Sequence, residues 1–532
     1  MCSYALYQNN EDAFAARLRP GTVYLLGAGP GDPGLLTLRA RDVLARADVV
    51  VYDYLANRAF LAFCSSSAEL IYAGKKGGDH TLSQEAINQL LIDRAKQGLR
   101  VARLKGGDPY VFGRGAEEAE EFVDAGIDFE VVPGVTSAVA APAYAGIPLT
   151  HRRFASSVSF ITGHEDPDKP ASSINWSALA AGGGTLVFFM GVRNLRHICH
   201  RLTGEGMDPQ TPAGLVRWGT TCRQASLTGS LDSIAELAEQ QGFKAPALLV
   251  VGQVVSLRDR LSWFERRPLL GRGVVITRAR EQASSLVRLL EEEGACCLEF
   301  PTIDIRPLPD SGPIRQAIRD LAGYSWVVFT SVNGVEYFWS QIASMGLDSR
   351  IFGGIKVAAI GPATAESLKQ RGIRPDLLPE KYVAESVVQG MLELGVRGEK
   401  VLLPRAETAR EVLPESLRQA GASVDILPVY RTELSGGSPD EVAASLADGQ
   451  VDYITFTSSS TVENFFQRIQ PDELSKLGTG RPRLACIGPI TSETLASFGF
   501  QADLVASEYT IPGLVEALIQ DAHKGQAAEG GL

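Results

Sequence analysis

The sequence predicts an α/β chain in two parts, each built on largely parallel sheets, and three observations carry the prediction. Three glycine-rich loops in the first half each follow a short apolar run of strand type. The second half repeats itself with a constant offset. Both halves alternate β-rich runs with amphipathic helical stretches, the pattern of parallel α/β units.

The first loop, GAGPGDPGLLTLRA from Gly27, follows TVYLL; the second, RLKGGDPYVFGRG from Arg103, follows RVARL; the third, VPGVTSAVAAPAYAGIPLTHR from Val132, follows FEVV. Each backbone turn therefore sits at a strand's carboxyl end, where open α/β sheets bind ligands. Gly27-Ala28-Gly29 after a strand, with Asp53 closing the next strand DVVVYD, imitates a nicotinamide-dinucleotide fingerprint. The imitation fails in detail. Asp32 replaces the third glycine, and Pro30 and Pro33 remove two amide donors that would cradle a pyrophosphate.

At 532 residues the chain is long for one core. Length alone suggests roughly three or four globular units. With 45% hydrophobic and 21% charged residues, no long stretch is expected to be disordered. The first residues lack a continuous apolar core of signal-peptide type, and no apolar run is long enough to span a bilayer, so a cytoplasmic protein is expected. Seven scattered cysteines without C-x-x-C spacing are expected to be reduced and to bind no metal. His197, Cys199 and His200 fall in RNLRHICHRL, which reads as an amphipathic helix without a further ligand cluster. A net charge of −11 argues against nucleic-acid partners. Cations nevertheless gather in or beside the loops (Arg39, Arg41, Lys75, Lys76, Arg103, Lys105, Arg114, Arg152 and Arg153), so an anionic small-molecule substrate is compatible. Taken singly, most of these read as a solvated face.

Further strings follow in order: ITGHE at Ile161, TLVFFMG at Thr185, PAGLVRWGTT at Pro212 and APALLVVGQVV at Ala245. From about Gly21 to Phe264 the series resembles the tetrapyrrole methylase family, and within it the uroporphyrinogen-III C-methyltransferases. The resemblance implies a two-lobed α/β methylase fold with S-adenosylmethionine as methyl donor and S-adenosylhomocysteine as product. It implies a cofactor pocket lined by Pro30, Gly106, Gly107, Asp108, Val111, Thr136, Ser137, Met190 and Gly219, with Pro246 and Ala247 closing the adenine side. Ser137 stands where alanine is common in the family. Acid–base roles are implied for Asp53 and Lys75, and substrate contacts for Arg114 and Glu117, with Arg114 at the reacting end suited to a carboxylate. Read on its own, Asp53 has a second role open to it, capping a neighbouring loop at its strand's end. The joint LRDRLSWFERRPLLGRG from Leu257 is charged and proline-containing, as a linker over 261–271 would be.

From Gly273 the chain duplicates itself: VVITRARE at Val274 aligns with VLLPRAET at Val401, a displacement of 401 − 274 = 127 residues. FTSVNGVEYF at Phe329 with FTSSSTVENF at Phe456, and IGPATAESL at Ile360 with IGPITSETL at Ile487, keep the same register, as do Asp376 with Asp503 and Tyr382 with Tyr509. Units of this size are duplicated domains, not a solenoid. F-T-S after a strand and I-G-P-x-T before a helix put hydroxyls and amides at helix N-termini, where Ser331, Thr364, Ser458 and Thr491 are N-caps, anion contacts or both.

The segment from about Gly271 to Leu518 resembles the uroporphyrinogen-III synthase family. That resemblance implies two α/β lobes joined by a two-stranded connector formed by PTIDIRP from Pro301 and PVYRTEL from Pro428. It also implies interleaving, with the first strand and helix after Gly271 joining the last third of the chain. Tyr430 matches a tyrosine proposed to assist departure of the substrate hydroxyl, with packing between lobes as its alternative role. Ser331, Asn333, Thr364, Ser458, Ser459 and Thr491 would hold acetate and propionate groups.

The resulting expectation is an N-terminal extension over 1–20, a methyltransferase over 21–260, the linker, a synthase over 272–520 and a disordered tail over 521–532. Closure of hydroxymethylbilane to uroporphyrinogen III, followed by two methylations to precorrin-2 for sirohaem or cobalamin, is the activity implied. The alternative is a methyltransferase carrying a tetrapyrrole-binding module without synthase activity. A homodimer through the methyltransferase, no membrane and no metal complete the expectation.

Overall fold

The computed structural model describes residues 18–74, 82–164, 173–278, 280–379, 384–409, 411–434 and 439–529. The predicted extension over 1–20 therefore lies almost wholly outside the described residues. The chain forms two compact units, one of Met1–Arg272 with Leu290–Cys296 and Asp521–Leu532, the other of Gly273–Leu289 with Cys297–Gln520.

In the first unit, strands β1 (Thr22–Gly27), β2 (Val49–Tyr52), β3 (Glu69–Tyr72), β4 (Val101–Lys105) and β5 (Asp128–Val132) form a parallel sheet in the order β3-β2-β4-β1-β5. The near-continuous apolar runs fit strands covered on both faces. Tyr24, Leu26, Val50 and Leu104 pack on one side, and Val23, Leu25, Val49 and Val101 on the other. Thr37 and Ser83 cap the helices Leu38–Leu44 and Gln84–Lys96 by accepting amide hydrogen bonds from Ala40 and Ala86.

A second sheet of β6 (Val158–Thr162), β7 (Thr185–Phe189), β8 (Pro212–Arg217), β9 (Ala225–Ser230) and β10 (Ala247–Val251) is mixed, in the order β6-β7-β10-β8-β9. β10 runs antiparallel to both its neighbours, and Leu249 and Val251 join Phe188 and Leu215 in its core. The segment 261–271, expected as a linker, packs into this unit: Phe264 and Leu269 are buried, and Tyr144 lies 4.9 Å from the rings of both Trp263 and Phe264. Aromatic burial outweighs the charge that suggested a linker.

One expectation about the cysteines fails. Cys222, in the loop before β9, and Cys296 form a disulfide with Cα atoms 5.3 Å apart. The spacing rule looks only along the chain, whereas the fold brings together two residues 74 positions apart.

The second unit contains two five-stranded sheets. β11 (Gly273–Ile276) and β12 (Cys296–Glu299) join β18 (Tyr453–Phe456), β19 (Arg483–Cys486) and β20 (Leu504–Val505) in the order β12-β11-β18-β19-β20. β13 (Ile303–Pro307), β14 (Trp326–Phe329), β15 (Lys356–Ala359), β16 (Lys400–Ala406) and β17 (Ser423–Leu434) form the order β13-β17-β16-β14-β15. Each sheet thus takes its first strands from one repeat and its remaining strands from the other, the interleaving the sequence led us to expect. The connector also forms, β13 running antiparallel to the far end of β17 with Ile303 opposite Leu434 and Pro307 opposite Tyr430.

The repeats share small devices as well as strands. Asp376 accepts the Val357 amide at 2.7 Å, and Asp503 accepts the Leu484 amide at 2.8 Å, each carboxylate tying its loop to the start of the neighbouring strand. The tail is a second correction. The helix Ile511–Glu529 runs through most of it, with Leu514, Leu518 and Ala522 continuing one apolar face.

Because Asp376 and Asp503 perform one task in two places, Asp376→Ala and Asp503→Ala should each destabilise the second unit by about 1–3 kcal/mol, the cost of an unpaired buried amide. Urea denaturation of the two variants checks this, and a much larger loss at one site would break the equivalence.

Candidate functional site

The three glycine loops meet at the carboxyl edge of the first sheet. Past the ends of β1 and β4 the two chains continue as a bridge, with the Gly29 amide donating to Gly107 O at 3.1 Å and the Gly107 amide to Gly29 O at 2.8 Å. A Cβ on Gly27 would lie 2.3 Å from the Gly134 nitrogen, and one on Gly134 would lie 2.2 Å from the Gly107 oxygen. No side chain fits where these three backbones touch. At Gly106 a Cβ would come within 2.8 Å of Leu55 Cβ, and at Gly219 within 2.2 Å of Ala141 Cβ.

Polar side chains lock the cradle. Asp108 accepts the Tyr110 amide at 2.8 Å and the Gly134 amide at 3.0 Å, joining the second loop to the third. Asp32 settles the dinucleotide question. It caps the turn Pro33–Leu35 by accepting from Gly34 N at 2.7 Å, and its other oxygen accepts from Tyr144 Oη at 2.6 Å. That carboxylate is internal architecture, and the Asp32 amide is itself donated to Thr220 Oγ1. Burial and the bond to Asp32 push the Tyr144 phenol far above its ordinary range.

The remaining expected pocket residues gather on neighbouring loops. Thr136 caps the helix Ser137–Tyr144, with its Oγ1 accepting from Ala138 N. Val111 follows Asp108 in the same turn, its amide donating to the Asp108 oxygen. Pro30 lies beside Gly31 in the first loop, while Met190 follows β7 at φ 55°. Pro246, after a cis peptide bond, and Ala247 lead into β10, and the Pro246 oxygen accepts from Trp218 N. Among the described residues, every non-glycine residue with a left-handed backbone lies in these loops: Phe112, Arg114, Met190, Trp218 and Thr220. Such conformations persist where the surroundings hold them and collect at functional sites. Phe112, Trp218 and Thr220 were not singled out from the sequence; nothing in their residue types marks an αL backbone.

Asp53 stands at the carboxyl end of β2 with its side chain partly exposed, its Oδ1 2.6 Å from Arg103 Nη2. Lys75, expected beside it, lies outside the described residues. Arg114 and Glu117 form an open pair at 3.7 Å on the first turn of the helix Gly115–Asp124. Two cations read as part of a solvated face are buried instead. Arg103 and Lys105 share one side of β4 and are 2% and 3% exposed, facing Glu118, which is 0% exposed. Lys105 Nζ lies 2.6 Å from Glu118 Oε1. Burial, with the nearby Arg103 charge adding to it, holds the Lys105 ammonium below the usual lysine range. The i,i+2 spacing in RVARLK was the available signal, because alternate residues of a strand share a face.

In the second unit Tyr430 is buried and stacked on Tyr337, with ring centroids 5.7 Å apart. Its hydroxyl lies 3.3 Å from Ser331 Oγ. A register irregularity at Arg405/Ala406 adjoins Tyr430 and marks where β17 leaves its partner for the connector. Ser331 and Ser458 are N-caps, accepting from Gly334 N and Thr461 N. Thr364 and Thr491 are not: Gly361 and Gly488 hold the cap positions without a side-chain bond, and both threonines are buried in the first turn. Asn333 is buried on the helix that Ser331 caps, and Ser459 accepts from Thr494 Oγ1 at 2.7 Å.

A backbone cradle at the edge of a parallel sheet, followed by two interleaved α/β lobes, gives the chain a two-part architecture that the comparisons with known proteins match half by half. The family model of tetrapyrrole (corrin/porphyrin) methylases matches residues 22–235, and that of uroporphyrinogen-III synthase HemD matches 284–516. A porphyrin biosynthesis protein HemD of Ruminiclostridium josui is 38% identical over 500 residues, 94% of this chain and 98% of that protein. An S-adenosyl-L-methionine-dependent uroporphyrinogen III methyltransferase of Methanosarcina barkeri is 54% identical over 241 residues, 45% of this chain and 94% of that protein. A crystal structure of uroporphyrin-III C-methyl transferase from Thermus thermophilus with S-adenyl homocysteine is 39% identical, covers 44% of this chain and 99% of that one, and has a TM-score of 0.38. The chain belongs to the tetrapyrrole methylase and uroporphyrinogen-III synthase families, fused in one polypeptide with a bifunctional role in tetrapyrrole biosynthesis.

Gly134→Ala should cost the first unit about 1–3 kcal/mol, since the new methyl must displace backbone on a neighbouring loop. Isothermal titration of S-adenosylhomocysteine should show binding lost with it. Full affinity in a stably folded variant would contradict the cradle.

Proposed function

We propose that the second unit cyclises hydroxymethylbilane to uroporphyrinogen III and that the first transfers two methyl groups to that product, giving precorrin-2. The observation that carries this reading is the glycine cradle at the carboxyl edge of the first sheet, where the loops close on one another and leave no room for a Cβ at Gly27 or Gly134. S-adenosylmethionine, when bound, supplies a methyl already activated on its sulfonium. The chain's task is then alignment more than activation. Gly106, Gly107, Val111, Thr136, Ser137, Met190, Gly219, Pro246 and Ala247 would hold the donor, with Asp108 and Pro30 shaping the loops that present it.

Methylation of a pyrrole carbon uses a π electron pair of the macrocycle to form the new C–C bond. The attacked carbon already carries a side chain and has no hydrogen to lose, so the cation is neutralised by loss of a proton from an adjoining methylene bridge, whose C–H pair becomes a new C=C bond. Asp53 is the acceptor we assign to that proton, being the partly exposed carboxylate at the sheet edge; Lys75 is the companion acid–base group. Arg114 and Glu117, open to solvent on the adjoining helix, would meet the peripheral carboxylates.

In the second unit, loss of water from the bilane leaves an electrophilic azafulvene, and Tyr430 would donate a hydrogen bond to the departing hydroxyl. Its contact with Ser331 and its stack on Tyr337 fix that phenol in place. Ser331, Ser458 and Ser459, with Asn333, Thr364 and Thr491 in the first turns of their own helices, would position acetates and propionates. Among the described residues no helix is long and apolar enough to cross a membrane. A cytoplasmic homodimer formed through the methyltransferase completes the proposal.

Incubation of the full chain with hydroxymethylbilane and S-adenosylmethionine should yield a dimethylated type-III tetrapyrrole by absorbance and mass. Methylation only when uroporphyrinogen III is supplied ready-made would remove the synthase activity and leave a binding module. Tyr430→Phe should slow cyclisation about tenfold, the worth of one hydrogen bond of roughly 1.4 kcal/mol, and leave methylation of added uroporphyrinogen III unchanged.

A further inference from the structure

Arg103, Lys105 and Glu118 are the most deeply buried charged side chains described in the first unit, and none of them belongs to the glycine cradle. They form a connected chain. Glu118 Oε1 receives Lys105 Nζ at 2.6 Å, Gln84 Nε2 at 2.9 Å and Arg103 Nε at 3.4 Å. From there Arg103 spans to the end of β2, placing Nη1 3.5 Å from the Val51 oxygen and Nη2 2.6 Å from Asp53 Oδ1.

Two cations and two carboxylates balance, which is the condition under which such burial is tolerated at all. Neutralisation alone does not account for the arrangement. Buried ion pairs are commonly replaceable by apolar residues without loss of stability, so they are weak devices for holding a core together. A closed network would also satisfy its own atoms, yet Glu118 Oε2 is buried without a hydrogen-bond partner. The chain opens to solvent at one end, through Asp53, whose side chain is 28% exposed against 2% for Arg103 and 0% for Glu118.

We infer that Arg103 is a positioning residue for Asp53: clamped from behind by Glu118, its guanidinium fixes the orientation of the Asp53 carboxylate and sets a positive charge beside it. Lys105 shares Glu118 with Arg103, so that neither cation is left unbalanced. The inference rests on the reading of Asp53 as the proton acceptor. Arg103 of β4 is in contact with Asp53, Lys105 of the same strand lies within its electrostatic reach, and Glu118 of the helix Gly115–Asp124 sits behind both cations.

The test is the pH profile of kcat/KM for methylation of added uroporphyrinogen III by the full chain, compared across variants. Arg103→Gln should move the acid limb upward by about 1–2 pH units, because a carboxylate deprived of a cationic partner takes up its proton at higher pH. Arg103→Lys should restore most of the shift. Glu118→Gln should move the limb in the opposite sense, since both cations then act on Asp53 uncompensated. These opposed signs are not expected from a role in folding alone, and Glu118→Gln decides the matter if Arg103→Gln fails to fold. An unmoved limb in folded, active Arg103→Gln, or in Glu118→Gln, overturns the inference. Asp53→Asn separates the two levels. If it methylates at the unaltered rate, the proton-acceptor reading has failed; if it is inactive while the limb stays fixed in the other variants, only the positioning role has failed.

Discussion

The methyltransferase half depends on one steric constraint: Gly27 and Gly134 close on each other and on the Gly107 carbonyl so tightly that neither can carry a Cβ. The strands bring the loops to a common edge, but the contact fixes how closely they approach. Everything else at that edge is arranged around it. Asp108 ties two of the loops together, Asp32 and Tyr144 brace the first, and five left-handed residues turn the surrounding chain back on itself. The cost of these conformations is of the order of a kcal/mol each, and the packed sheets beneath supply the rigidity that holds them.

The loops and the repeat were legible because their signals are local or periodic. Glycines at 27, 106, 107 and 219 mark close backbone approach wherever they occur, and a constant displacement along the chain survives any divergence of the residues between. The features that escaped are those that depend on distance in sequence. Arg103 and Lys105 look like surface charges until Glu118, on a helix that follows, is seen to cover them. Asp32 resembles a failed ligand contact until Tyr144, 112 residues on, is found against it. Thr364 and Thr491 look like caps because the motif places them one turn too late for a reader who does not know where each helix starts.

Charge tells the same story at both scales. A net acidic protein can still carry cations in different settings, and the first unit does so in two ways: exposed, as at Arg114, and buried, as at Arg103, where the partner is the protein's own acid. Residue type does not distinguish these cases. Spacing does, since the buried pair sits on alternate strand positions and the exposed one begins a helix.

The exchange of strands between the repeats has a consequence for how the chain is made. β11 leaves the ribosome long before β18, its partner in the sheet, and the lobe they share closes only when β20 has been synthesised. For most of the synthesis of the second unit its opening strand has an unpaired edge toward the missing neighbour, while β13 to β17 complete their own sheet first. Order of assembly therefore runs from the inside of the sequence outward, and the earliest residues of that unit are among the last to be housed.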